Sequence, residues 1–153
     1  MYLEYVKIRD RSMSPVRANP SDAGADVFYC PDQPNAECLA INPGECRVIP
    51  TGLRFGVPHG YMLEVKNRSS VASKRHLLVG ACVVDPGYDG ELYINLHNVG
   101  NDTQFVNAGT KIAQVVLLPV VHFRAVEKKT GSLYEDQIAM SKRGAGGFGS
   151  TDE

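Results

Sequence analysis

Apolar and polar residues alternate with period two in several short stretches of this chain. Leu53, Phe55 and Val57 alternate with Arg54 and Gly56, and Leu63 and Val65 with Glu64 and Lys66. Leu92, Ile94 and Leu96 alternate with Tyr93, Asn95 and His97. Successive side chains of a strand point to opposite faces, so each stretch predicts a strand with one buried face. Residues 112–123 form a longer, Val-rich apolar stretch interrupted by Pro119. Its β-branched content favours strand over helix, with the proline at a bulge or an edge. Turn formers separate the stretches: Asn42-Pro43-Gly44, Pro58-His59-Gly60, Pro86-Gly87, Asp89-Gly90 and Ala108-Gly109. Short strands at turn intervals of about ten residues predict an all-β barrel or sandwich. Residues 69–76 depart from this pattern and predict one short helix, behind serines able to cap its first turn. Residues 31–35 read as an exposed loop.

A chain of 153 residues has the length of one domain and buries enough surface to fold without disulfide or metal staples. Its 43% hydrophobic and 22% charged content excludes a disordered chain. A formal charge of −1 supplies no global field toward DNA or anionic membranes, so neither nucleic acid nor membrane is an expected partner. No apolar run approaches the roughly 18 residues of a membrane span. The first ten residues carry alternating charges without an apolar segment, unlike a secretory signal. A cytoplasmic protein is the expectation. Cys30, Cys38, Cys46 and Cys82 lack the close pairing of a zinc finger or ribbon. In a reducing compartment they read as ordinary thiols rather than disulfides. His59, His76, His97 and His122 contain no HExxH pair and read as structural or surface residues.

Four segments carry anion- or water-directed chemistry. In Asn67-Arg68-Ser69-Ser70 a guanidinium precedes two hydroxyls at a helix start, which suits phosphate but also suits a plain cap. In Val83-Val84-Asp85-Pro86-Gly87-Tyr88 a carboxylate follows an apolar strand at a turn. It is placed either to orient and deprotonate a water or simply to make the turn. In Gly109-Thr110-Lys111-Ile112-Ala113-Gln114 an amide on a strand can face phosphate or a neighbouring backbone. Residues 141–151 carry four glycines with Arg143, Phe148, Ser150 and Thr151. Such a tail reads as disordered, or as a segment that wraps backbone N–H groups around an anion while Phe148 covers a flat ring. It is not a Walker A loop.

Taken in order, Ala23-Gly24-Ala25-Asp26-Val27, Arg68-Ser69-Ser70-Val71-Ala72, Val84-Asp85-Pro86-Gly87-Tyr88-Asp89-Gly90, the Gly109–Gln114 stretch and the Arg143–Thr151 stretch closely resemble the five motifs of the trimeric dUTP pyrophosphatases. The resemblance extends from residue 23 to residue 151. It implies a distorted jelly-roll β-barrel with one short helix and a flexible Gly-rich C-terminal tail, residues 1–140 forming the barrel domain and 141–153 a mobile lid. It implies a homotrimer with active sites at subunit interfaces, and hydrolysis of dUTP to dUMP and pyrophosphate with Mg²⁺ bound through the triphosphate. That reaction limits uracil in DNA and supplies dUMP for thymidylate synthesis.

By the same resemblance, Asp85 activates the attacking water and Tyr88 packs under the deoxyribose. The backbone of Gly80 to Val84, including Val83, reads uracil. Arg68, Ser69, Ser70 and Gln114 contact phosphates, and Phe148 closes over the base. Arg143, Gly149, Ser150 and Thr151 grip the distal phosphate, and Asp26 lies near the metal's water shell. Cys82 stands where relatives often have Gly, and Asn67 where many have Pro. Two related readings are a dCTP deaminase-like enzyme and a non-catalytic nucleotide-binding regulator of the same fold. The deaminases use a Glu where Asn95 stands, and an amide cannot shuttle that proton.

Overall fold

A computed structural model describes residues 1–129, 131 and 133. Eleven strands and one helix follow the chain: β1 (Glu4–Lys7), β2 (Ala25–Phe28), β3 (Cys38–Ile41), β4 (Cys46–Pro50), β5 (Leu53–Gly56), β6 (Tyr61–Lys66), α1 (Ser69–Arg75), β7 (Leu77–Val79), β8 (Val83–Val84), β9 (Tyr93–Asn98), β10 (Gln104–Asn107) and β11 (Lys111–Pro119). All pairings between these strands are antiparallel. They make a four-stranded sheet β2-β11-β6-β8, a three-stranded sheet β4-β9-β7, and the pairs β1-β5 and β10-β3. The fold is mostly β, of the jelly-roll type that the alternating stretches and the resemblance predict.

The alternation works as a strand period requires. Leu53 and Phe55, Leu63 and Val65, and Ile94 and Leu96 all enter one core, joined by Ile41, Ile49, Val106 and Val115. In β11 the register skips between Lys111 and Ala113, so Ile112 is a bulged residue. The bulge lets adjacent Ile112 and Ala113 both lie buried. Pro119 is not at the bulge. It is the last residue of β11, opposite Tyr61, where a missing N–H ends the ladder. The helix forms where predicted, but no serine caps it. Arg68 occupies the N-cap without a side-chain capping bond, Ser69 and Ser70 lie inside the first turn, and His76 closes the other end in the left-handed region.

The N-terminal segment is anchored by one partly buried ion pair. Both terminal nitrogens of Arg9 donate to Glu91, at 2.6 and 2.7 Å, and Gly52 N donates to Glu91 Oε1 at 2.6 Å. Arg9 also pairs with Asp32, while Arg11 donates to the carbonyls of Pro31 and Pro34. The 31–35 loop is thus tied down by two arginines. Burial would raise the Glu91 carboxyl, but the Arg9 and Gly52 hydrogen bonds and the Arg9 charge outweigh it and hold the group below its usual value.

One compact unit covers residues 1–122, and a second covers 123–153. Of the second, residues 123–129, 131 and 133 are exposed and carry neither helix nor strand. Among the described residues no helix is long and apolar enough to cross a membrane.

Because the folded carboxyl of Glu91 titrates below the unfolded one, the pair stabilises the fold above the unfolded value. That stabilisation disappears as pH falls through the folded value. Glu91→Gln is expected to cost about 2 kcal/mol at neutral pH and to flatten the loss of stability on acidification. Urea titrations of both proteins across the acidic range measure this; parallel pH profiles would contradict it.

Candidate active site

Two cavities hold the described residues that the sequence singles out, except Ser70 and Gly80, which line neither. The first, about 220 Å³, is lined by the segment 81–85, Tyr88 and Glu91, against Val65 and Leu92. β8 presents this segment because it pairs with β6, Val83 opposite Glu64 and Val84 opposite Leu63. Asp85 follows at once, at the start of a turn in which Tyr88 N donates to Asp85 O. Pro86 and then Gly87, at φ +88°, are the residue types a type II turn needs at its centre. Asp85 is therefore exposed at the cavity edge on a stiff corner. Tyr88 is held too: its hydroxyl donates to Glu91 O at 2.9 Å. A hydrogen bond to the Glu91 carboxylate pushes the Tyr93 phenol up.

The hairpin before β8 is pinned by its own chain. Val65 N donates to Cys82 O at 2.7 Å, Gly80 N to Asn95 O at 2.9 Å, and Ala81 N to Asn95 Oδ1 at 3.2 Å. Gly80 itself is not in the cavity lining, and its N–H is taken by Asn95. Cys82 packs against the core while also lining the cavity.

The second cavity, about 310 Å³, is lined by Gly24, Asp26, Arg68, Ser69 and Gln114, with the 16–23 segment around them. Asp26 receives Arg68 Nε at 2.6 Å and Lys111 Nζ at 2.8 Å on its two oxygens. This carboxylate, linked by resemblance to a metal's water shell, directs both oxygens at cations of its own chain. Among the charged side chains, Asp22, Asp26 and Arg68 line the cavity itself, while Lys111 approaches Asp26 from outside the lining. Arg68 Nη1 lies 3.4 Å from Ser70 Oγ, and Gln114 Nε2 donates to Asn67 O at 2.9 Å. Asn67 adds a bond that a proline could not make, its Oδ1 accepting from Val79 N at 2.7 Å.

The two cavities share no lining residue, although Val65 of β6 lines the first. Asp85 follows the residue paired with Leu63, whereas Arg68 lies two residues past Lys66. Arg143, Phe148, Gly149, Ser150 and Thr151 lie outside the described residues.

The dUTPase family model matches residues 10–152, nearly the whole chain. The chain belongs to the dUTPase family. The deoxyuridine 5'-triphosphate nucleotidohydrolase of Chlamydia trachomatis serovar L2 is 36% identical over 151 residues, covering 97% of each chain. That of Solibacter usitatus is 39% identical over 132 residues, covering 85% of this chain and 80% of its own. A variant dUTPase of Staphylococcus bacteriophage 80alpha, solved with dUpNHpp, superposes with a TM-score of 0.80 at 26% identity, covering 98% of both chains. A variant dUTPase from phage phi11 of S. aureus, described for its structural Mg(II) ion, gives 0.75 at 26% identity, covering 85% of this chain and 98% of its own.

dUTPases use Mg²⁺. In this dUTPase no three His, Cys, Asp or Glu side chains among the described residues converge on a metal position. The donor set fits an ion that keeps most of its waters and is held through phosphate oxygens.

Sequence reasoning missed Glu91 and Arg9, and weighed Asn95 only against a deaminase, although all three position the first cavity from behind. Gly24 is equally silent in sequence: a Cβ there would overlap the Gln114 amide. Gly24→Ala is expected to fold, to lose the Gln114–Asn67 bond at a cost of about 1 kcal/mol, and to raise KM for dUTP. Thermal melts and steady-state kinetics check this, and unchanged values would refute it.

Proposed function

We propose that this dUTPase hydrolyses dUTP to dUMP and pyrophosphate, with Asp85 orienting and deprotonating the water that attacks the α-phosphorus. The observation that carries this reading is one cavity that gathers a rigidly mounted carboxylate, the Tyr88 ring and a pinned hairpin backbone. The hairpin receives the base through main-chain groups, and Tyr88 lies under the sugar. A methyl on the base meets backbone that cannot yield, which excludes dTTP by clash rather than by weak binding differences. The water oxygen bonds to the α-phosphorus as the bond to the bridging oxygen breaks, and pyrophosphate leaves. Phosphoryl transfer of this kind depends on positioning and charge neutralisation more than on covalent help. Arg68 lies ready for phosphate because Asp26 fixes its orientation, with Ser69, Ser70 and Gln114 beside it. Mg²⁺ carried by the triphosphate neutralises further charge. Arg143, Phe148, Gly149, Ser150 and Thr151 complete the site as a lid. A nucleotide-pool substrate supports a location inside the cell.

The active form is a homotrimer with shared sites. Within one chain Asp85 and Arg68 line different cavities, which supports a site in which the phosphate cavity serving one Asp85 comes from another subunit. The deaminase reading loses ground on geometry. Asn95 points its amide at Cys46, His97 and Ala81 N rather than into the cavity beside Asp85.

Asp85→Asn is expected to bind dUTP nearly as wild type and to lose about 100- to 10,000-fold in kcat. Calorimetry and pyrophosphate release measure the two; surviving turnover removes Asp85 from the role of base. Asp85→Asn and Arg68→Ala chains, each inactive alone, are expected to regain activity when unfolded and refolded together. Roughly a quarter of the sites in random trimers then combine both native residues. Absence of recovery would place both residues of a site on one chain.

A further inference from the structure

The outward face of the β4-β9-β7 sheet carries a cluster that the reaction does not use. Cys46 and His97 are distant in sequence but directly opposite each other in the β4–β9 register. Cys46 Sγ lies 3.6 Å from His97 Nε2, and both side chains are exposed. Asn95, two residues before His97 and on the same face, completes the group. Its Nδ2 donates to Cys46 Sγ at 2.7 Å, and its Oδ1 lies 3.0 Å from His97 Nε2. Gly80 covers the group from β7's end, where a Cβ would overlap Asn95 Oδ1 and His97 Nε2. The cluster is thus packed into a fixed place rather than spread over an open surface.

We propose that Cys46 and His97, with Asn95 Oδ1 as a third oxygen donor, form a binding site for a soft divalent cation of the Zn²⁺ type. Zinc takes thiolate sulfur at about 2.3 Å and imidazole nitrogen at about 2.0–2.1 Å in tetrahedral geometry, which sets those two atoms about 3.5 Å apart. The observed 3.6 Å matches without movement of either strand. An oxygen donor at a neighbouring corner stands about 3.4 Å from the nitrogen, so Asn95 Oδ1 at 3.0 Å needs a shift of a few tenths of an ångström. The Asn95 N–H donating to the sulfur is the kind of outer bond that steadies a metal-bound thiolate. A water takes the fourth position. Binding releases the Cys46 thiol proton and requires His97 Nε2 without its proton, so no other reactant enters.

The site has a route to the catalytic cavity. Asn95 Oδ1 also accepts the hydrogen bond of Ala81 N in the base-reading hairpin. When Oδ1 turns to the cation, that N–H loses its partner. Metal on the outer face therefore loosens the hairpin that lines the first cavity.

The test is a Cd²⁺ and Zn²⁺ titration of the full-length protein, read by thiolate-to-cadmium charge-transfer absorption and by calorimetry, with hydrogen exchange followed at Ala81. The expected results are saturable binding and faster Ala81 exchange in the metal-loaded protein. Affinity is expected to fall by more than the roughly 10- to 100-fold that loss of an outer-shell partner costs in Cys46→Ser and in His97→Ala, but not in Cys38→Ser, whose thiol is also exposed. Circular dichroism establishes that each variant is folded. The proposal is overturned by no saturable binding, by affinity that survives either substitution, by equal loss in Cys38→Ser, or by Ala81 exchange that metal does not accelerate.

Discussion

Everything in the site hangs on the register of β6. This strand is paired on both edges, with β11 along its length and with β8 at its central residues Leu63 and Glu64. The β11 pairing places Gln114 opposite Lys66, beside the Arg68 helix start, and the β8 pairing sets Val84 opposite Leu63, with Asp85 next in the chain. A slip of one residue on either edge would exchange inward and outward side chains. Leu63 and Val65 would leave the core, and Asp85 or Gln114 would turn away from its cavity. Burial of those apolar residues therefore selects the only register in which both cavities exist. The stability of the barrel and the geometry of the chemistry are one constraint.

Positive charge at the phosphate cavity is managed by the same logic of fixed neighbours. Arg68 and Lys111 share the Asp26 carboxylate, so each is oriented before any ligand arrives. The Arg9–Glu91 pair does different work behind the first cavity. It closes the space under Tyr88 and Tyr93 with a carboxylate that is itself saturated, so the charge lining that wall is not available to the substrate.

The central strands were legible because their alternation is a direct consequence of burial on one face, as in Leu53–Phe55 and Ile94–Leu96. β1 was not, because all four of its residues are exposed and no alternation exists to be read. The helix was legible by position but not by mechanism, since serines that look like caps sit in its first turn. Asp85 and its turn were plain, for Pro-Gly dictates a corner of known shape. Arg9, Glu91 and Asn95 were hidden because their roles depend on partners far along the chain: Arg9 meets Glu91 82 residues away. Spacing rules find ligands that lie close in sequence. Cys46 and His97, 51 residues apart, escape any such rule and are united only by strand pairing.

That last pair shows how a sheet can connect two sites without moving as a body. The side of β9 that faces the core carries Ile94 and Leu96, while the other carries Asn95 and His97. A residue on the outer face cannot reach the catalytic cavity through the packed core. It can reach it along the edge, where the chain leaves β7 and turns toward β8. Asn95 stands at that corner with its carbonyl oxygen shared between an imidazole and the Ala81 N–H. One acceptor with two claimants is a natural point of coupling, since a change at either claimant alters the hold on the other. The hairpin before β8 is thus held from two sides, by the core through Cys82 O and by the outer face through Asn95.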